Sequence, residues 1–316
     1  MRGSLLVAGL VLASATACGS GGDAVPVATV TSSCEAPGAS AAASSGDVLE
    51  AAKSLLSTLD DDQRGAVRAE RTPANLAHWS DLPDARFPRA GLRMGALGSV
   101  QRAAVLGVLR AALSDRGYQQ VIDITAADGI DRYWVRILGA PTAAGIWTLQ
   151  FGGHNLALNL TVEGDALTLA PTLRGGAGPL CGEIRKGQAF IDDLDPGQQQ
   201  ASVLPQPVHD VVLGPGQDGR TLPAAGIAAS TLRPQQQALL LALVDQWLSV
   251  LDPAQAAVKQ AAFRKGLAET TFARYGSTYY RVQGPTVFIE LAQQPDTGEV
   301  HAVYREPGND YGAAAG

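Results

Sequence analysis

Several signatures are missing from this chain, and each absence removes a class of chemistry. No Ser stands in a G-x-S-x-G elbow and no H-E-x-x-H occurs, so neither that hydrolase nucleophile nor that zinc helix is supported. There are 3 cysteines, none spaced as ligands of a structural zinc. Basic runs are lacking: 24 Lys plus Arg face 30 Asp plus Glu, and the only run of like charge is Asp60, Asp61 and Asp62. Nucleic acid requires a basic face to neutralise phosphates, so no nucleic-acid partner is expected. "GPGQDG" (214–219) has dinucleotide-motif glycines, but Pro223 follows where a helix should open. It reads as a turn-rich loop.

What is present describes a folded, exported protein. A hydrophobic content of 46% over 316 residues is enough for a sizeable core. The first residues combine Arg2, an apolar stretch from Leu5 to Ala13 and small residues up to Cys18. This is a secretory signal, too short to span a membrane. Ala15-Thr16-Ala17-Cys18 is similar to a lipobox, so Cys18 is the expected lipidation site and the lipid the only membrane contact; the alternative is cleavage after Ala17 and secretion. Under oxidising conditions Cys34 and Cys181 are left as a candidate disulfide, with two free thiols as the competing reading. Residues 19–46, rich in Ala, Ser, Gly and Val, read as a flexible linker.

An internal repeat organises the remainder. At an offset of 135 positions "LDDDQRGA" (59–66) falls on "LDPGQQQA" (194–201), and "FPRAGLRMGALGSVQRAAVL" (87–106) on "LPAAGIAASTLRPQQQALLL" (222–241). Further on, "VRILGAPT" (135–142) resembles "YRVQGPT" (280–286). The ordered set argues for duplication, with a first repeat at 47–180 and a second at 181–316 packed as one domain.

Each half reads as helices followed by antiparallel strands. Helices are expected at 47–58 and 186–193, then short ones capped by Asp60 and Asp195, then long ones at 99–115 and 233–251, the first ending at Gly117. Strands are expected at 119–125, 132–138, 145–151, 155–162 and 166–171, and again at 278–283, 286–291 and 298–304. The expected class is α+β with two pseudo-symmetric repeats whose strands form adjoining sheets.

Four histidines are available for chemistry. His78 and His209 lie in loops, where packing or solvation is the default. His154 and His301 each stand between strands at loosely corresponding places in the halves, so they are expected to converge. Two imidazoles with a carboxylate such as Glu299 or Asp310 would suit a divalent metal ion. Bonding of His154 to backbone at a strand start is the plainer alternative.

The motifs "RAGL" at 89, "QRAA" at 101, "LSDRGY" at 113, "WTLQFGGHNLALNLTV" at 147, "TTFARYGSTYYRVQGPTVFIE" at 270 and "HAVYREPGNDYG" at 301 carry a family likeness. By them the chain resembles the domain of unknown function 3500 family over almost its whole length. That resemblance implies a bacterial, often exported protein of no settled activity. The family pattern has paired His where this chain has His154-Asn155, and His-x-His where it has Glu299-Val300-His301. It often has Arg-Asp in place of Arg305-Glu306. If the family site is a metal site, this chain either uses Asn155 and Glu299 as oxygen donors, which would favour a harder ion, or has lost the metal.

The expected function is a metal-assisted enzyme acting between the repeats on a small or oligomeric extracytoplasmic ligand. Its catalytic groups are His154, His301 and Arg305, its metal ligands His154, His301, Glu299 and Asp310, and its substrate contacts Asn155, Asn309 and Tyr311. A guanidinium such as Arg305 suits a carboxylate. A non-catalytic ligand-binding lipoprotein and a structural envelope protein are the alternatives.

Overall fold

The computed structural model describes residues 44–294 and 296–315. Cys18, Cys34 and the expected linker lie outside them, apart from its last three residues; Cys181 is disulfide-bonded.

Chain order explains the first half. Helix α1 (Ser45–Thr58) begins in a capping box between Ser44 and Asp47, and α2 (Asp61–Val67) in one between Asp60 and Gln63. Then come β1 (Arg68–Ala69), α3 (Pro73–Leu76) and β2 (Leu92–Arg93). Helix α4 (Ser99–Ala112) packs on α1, burying Val105, Val108 and Leu109 beside Val48, Ala52 and Leu55, which are spaced to share a helix face. Each of these Val and Leu side chains contributes roughly 1.5–3 kcal/mol on burial.

Helix α5 (Asp115–Asp128) occupies the place of the strand expected at 119–125. Ser114 ends α4 by capping a new helix, its hydroxyl accepting from the Gly117 amide, so Gly117 opens a helix instead of closing one. A Cβ on Gly117 would lie 2.2 Å from the Val250 carbonyl oxygen, so close packing accounts for the glycine. The β-branched run that suggested a strand, Val121, Ile122 and Ile124, is overridden by this cap and by burial.

Strands β3 (Trp134–Leu138), β4 (Ile146–Gly153) and β5 (Leu156–Glu163) follow; the strand expected at 166–171 shortens to β6 (Ala166–Thr168), and β7 (Thr172–Gly175) is a strand that was not expected. The second half runs α6 (Cys181–Asp192), α7 (Pro196–Ala201), β8 (Ile227–Ala228), α8 (Pro234–Leu248) and α9 (Pro253–Lys265). It closes with β9 (Thr271–Tyr275), β10 (Tyr279–Gln283), β11 (Phe288–Gln293) and β12 (Val300–Arg305). Helix α9 and strand β9 were not expected.

The fold is α+β. Among the described residues one continuous 12-stranded sheet replaces the adjoining sheets, its strands ordered β1-β3-β4-β5-β7-β12-β11-β10-β9-β8, with β2 on β3 and β6 on β5. The central antiparallel β7–β12 pairing, from Gly175 opposite His301 to Thr172 opposite Tyr304, joins strands of both halves. The matched stretches 135–142 and 280–286 occupy unlike places: Val135 on β3 pairs with Leu92, whereas the strand paired with Ile227 is β9, through Phe272.

The sheet is covered on both faces. Helices pack on one, with Val135, Leu149, Leu158 and Ile289 in the main core. On the other, loops lie over Ala157, Leu173 and Val303, with Trp79, Val211 and Tyr311 closing over them. Strand alternation puts His301 and Arg305 on this second face with Val303, and Arg174, Ala302 and Tyr304 on the helix face.

Candidate functional site

A cleft of about 600 Å³ opens on the loop-covered face. Its walls are the loop after α3 with Asp81 and Arg86, the β4–β5 turn with His154, the loop carrying Asp210, and the β11–β12 hairpin with Glu299 and His301. Both halves of the chain contribute, and the two expected histidines line one cavity.

His154 owes its place to a tight hairpin. Gly153 pairs with Leu156, leaving His154 and Asn155 as a two-residue turn in which Asn155 takes φ 61°. Asn tolerates this left-handed conformation better than most residues. A Cβ on Gly153 would stand 2.7 Å from the Tyr133 ring, so the second glycine of "GGHN" lets the turn lie against Tyr133, whose hydroxyl donates to the His154 carbonyl at 2.8 Å. The Asn155 amide donates to the Asp81 carbonyl oxygen at 2.9 Å, tying this turn to the next wall.

The His154 Nδ1 lies 2.8 Å from Asp128 Oδ2 at the end of α5. A carboxylate there opposes the helix dipole, a cost of about 0.3–1 kcal/mol that the imidazole offsets. His301 is anchored in the same manner: its Nδ1 donates to Asp210 Oδ1 at 2.9 Å. The Val211 amide at 2.7 Å and Gln294 Nε2 at 2.6 Å also donate to the Asp210 carboxylate. The His301 Nε2 then faces Asp81 Oδ2 at 3.9 Å.

These contacts shift the acidities. Burial by itself would lower the His301 pKa, but the hydrogen bond and charge of Asp210, with Asp81 and Glu299, raise it above the usual imidazole value. Burial would raise Asp210; the bond from His301 outweighs it and holds Asp210 below the usual carboxylate range. Asp81 is pushed up, first by burial and also by the Asp210 charge, although His301 and His154 pull it down. Two carboxyl groups driven apart beside one imidazole are suited to proton transfer.

The other expected site residues do not join this cleft, apart from Asn155 and Glu299 on its walls. Arg305 is buried and spent on the loop beyond Asp210: its Nε donates to Leu213 O at 2.7 Å and its Nη2 to Gly214 O at 3.2 Å. Asp310 pairs with Arg305 Nη1 at 2.7 Å and lines a separate cavity. Asn309 Nδ2 donates to Glu306 at 2.6 Å, and Tyr311 Oη to Asp218 at 2.7 Å. In this structure the bonds of Arg305, Asn309, Asp310 and Tyr311 thus run to other protein groups.

The four expected metal ligands are not brought together: among the described residues no group of three or more His, Cys, Asp and Glu side chains is placed to hold an ion. Asp310 is withdrawn to Arg305, and Nδ1 of each histidine is committed to an aspartate. Nor do His154 and His301 correspond: one lies in a turn, the other within β12.

Asp81, Asp128 and Asp210 were missed by sequence reasoning. Their signal in the sequence is slight: "WSDLP" and "PVHDVV" each hold one isolated aspartate in a loop, with no motif spacing to mark it. Those two histidines pack in loops, His78 on Phe87 at 4.7 Å and His209 on Tyr275 at 6.4 Å.

No curated protein and no solved structure matches the chain. A family model does, described as Protein of unknown function (DUF3500), over residues 41–313. The chain belongs to that family.

Proposed function

We propose that this protein is an exported, lipid-anchored enzyme that moves protons on a small polar substrate held in the cleft. The observation that carries the reading is a pair of imidazoles, His154 and His301, each tied at Nδ1 to an aspartate and both lining one cavity. A carboxylate on Nδ1 fixes the tautomer, turns Nε2 outward and stabilises the imidazolium formed when that nitrogen takes a proton. In this reading His301 is the base, Asp210 holds it, Asp81 returns a proton, and His154 serves the opposite wall.

The two-repeat reading of the chain belongs with this proposal. In its support, Gln101 Nε2 donates to Thr58 O and Gln63 Oε1, while Gln236 Nε2 donates to Asp193 O and Gln198 Oε1, each residue displaced by 135 positions. A cleft lined from both halves would then be a site between repeats. Export and lipidation rest on the N-terminal sequence; Cys18→Ser should move the protein from the membrane to the soluble fraction, and an unchanged distribution would refute the anchor.

The catalytic reading is tested by incubating the full chain with a panel of polar small molecules and following turnover by NMR. A compound turned over by the parent should be lost about 10²-fold or more in His301→Gln and Asp81→Asn. Equal turnover by both variants would remove these residues from catalysis. Saturable binding of a panel member without turnover would favour the binding-protein alternative.

A further inference from the structure

The C-terminal segment that follows His301 lies outside the cleft, yet it touches both loops that carry the cleft carboxylates. Trp79 stands two residues before Asp81, and its Nε1 donates to Tyr311 Oη at 2.7 Å. The same hydroxyl donates to Asp218 Oδ1 at 2.7 Å, in the loop that runs on from Asp210. Arg305 Nη1 donates to that Asp218 oxygen at 3.2 Å, and its guanidinium lies 5.8 Å from the Trp79 ring. With Leu213 O and Gly214 O also on Arg305, one chain of hydrogen bonds runs from the Asp81 loop through Tyr311 and Asp218 to the Asp210 loop.

The backbone of the segment is itself fixed. Tyr311 sits at φ 58°, a conformation that costs a non-glycine residue energy and persists only where surroundings impose it. Its amide donates to Ala170 O at 2.7 Å, and its carbonyl accepts from Arg71. The Asp310 carboxylate ties the Glu306 amide to Arg305, at 3.0 and 2.7 Å, closing the turn between them.

We propose that Tyr311 and Arg305 are positioning residues: by bridging the Asp81 and Asp210 loops they hold the two carboxylates on either side of the His301 ring. They act through Asp81 and Asp210 and touch no reacting atom. Loss of the Tyr311 hydroxyl removes the bond to Trp79 and leaves Asp218 with Arg305 alone, so both loops loosen at once. The inference rests on the acid–base reading of the cleft and names what keeps that arrangement in register.

The test uses the full chain with ¹⁵N-labelled histidine, in which the 4 imidazoles are assigned by single His→Gln variants. In the parent, His301 should give a slowly exchanging Nδ1–H signal, and Asp210→Asn should change it. Tyr311→Phe, which keeps the ring, and Arg305→Lys should each weaken or abolish that signal, while the His154 signal, held by Asp128, stays. A melting curve that remains cooperative separates this from unfolding. If Arg305→Lys fails to fold, Tyr311→Phe decides alone. A His301 signal unchanged in Tyr311→Phe, although Asp210→Asn alters it, overturns the positioning role and leaves the acid–base cleft standing. A signal that Asp210→Asn leaves untouched overturns both.

Discussion

His301 donates from Nδ1 to Asp210 Oδ1 at 2.9 Å while its Nε2 faces Asp81 at 3.9 Å, so one imidazole lies between two carboxyl groups of opposite tendency. Asp210 is held low and Asp81 is pushed up. Strand β12 supplies the imidazole and two loops supply its neighbours, so this relationship depends on tertiary packing more than on local sequence.

A pH dependence of stability follows from the pair. The His301 pKa is raised above 6.5, so its contribution is complete below that value and is lost as pH rises through the folded pKa. The Asp210 pKa is lowered from 3.8, so its contribution is complete above that value and is lost as pH falls through the folded pKa. Denaturant midpoints of the parent and Asp210→Asn should therefore differ most between about pH 3.8 and 6.5 and converge at both extremes. A difference as large at pH 9 as at pH 5 would contradict the pairing.

A second network is purely structural and lies on the helix face. Glu183, fully buried, accepts from Arg116 at 2.8 Å, from Arg174 at 2.9 Å and from Gln120 at 3.1 Å. Burial would raise its pKa, but the two guanidiniums, Arg174 first, hold it below the usual carboxylate value. Glu183→Gln leaves two buried cations without their counter-charge and should cost about 3–5 kcal/mol. Urea unfolding measures it; a loss under about 1 kcal/mol would mean the guanidiniums find other partners.

The turn that carries His154 has its own vulnerable point. A Cβ on Gly175 would stand 2.8 Å from Asn155 Cβ, with no flexible chain end to give way. Gly175→Ala should destabilise by about 1–3 kcal/mol, as overpacking does. It should also shift the His154 ring resonances more than those of His78. Ring shifts of equal size at both histidines would place the strain elsewhere.

Some of this was legible in the chain itself. Caps at Asp60 and Asp195 were readable because a carboxylate followed three residues later by Gln is a local signal. The alternation of "VHAVYR" could place His301 and Arg305 on one face, but not say which groups covered it. Arg305 looked catalytic because its type suits anions; only the packed structure shows its fork filled by Leu213, Gly214, Asp218 and Asp310. Asp81 and Asp210 stayed hidden because the contacts that give them meaning, Asn155 to Asp81 and His301 to Asp210, span 74 and 91 positions.

The glutamines at an offset of 135 offer a stability comparison within one molecule. Gln101 Oε1 accepts from the Gly98 amide at 3.0 Å, and Gln236 Oε1 from the Arg233 amide at 3.0 Å. Each reaches back from the first turn of its helix, α4 or α8, to the carbonyl of an earlier helix end, Thr58 or Asp193. Gln236 is fully buried, whereas Gln101 is half-buried and its abandoned partners gain water. Gln236→Ala should therefore cost about 2–3 kcal/mol and Gln101→Ala about 1. The two bond different residues, so the double variant should equal the sum of the singles within about 0.5 kcal/mol. Equal costs for the two single variants would show that burial does not set the strength of these bonds, and a strongly non-additive double variant would show that the two clusters are coupled through the α4 and α8 layers.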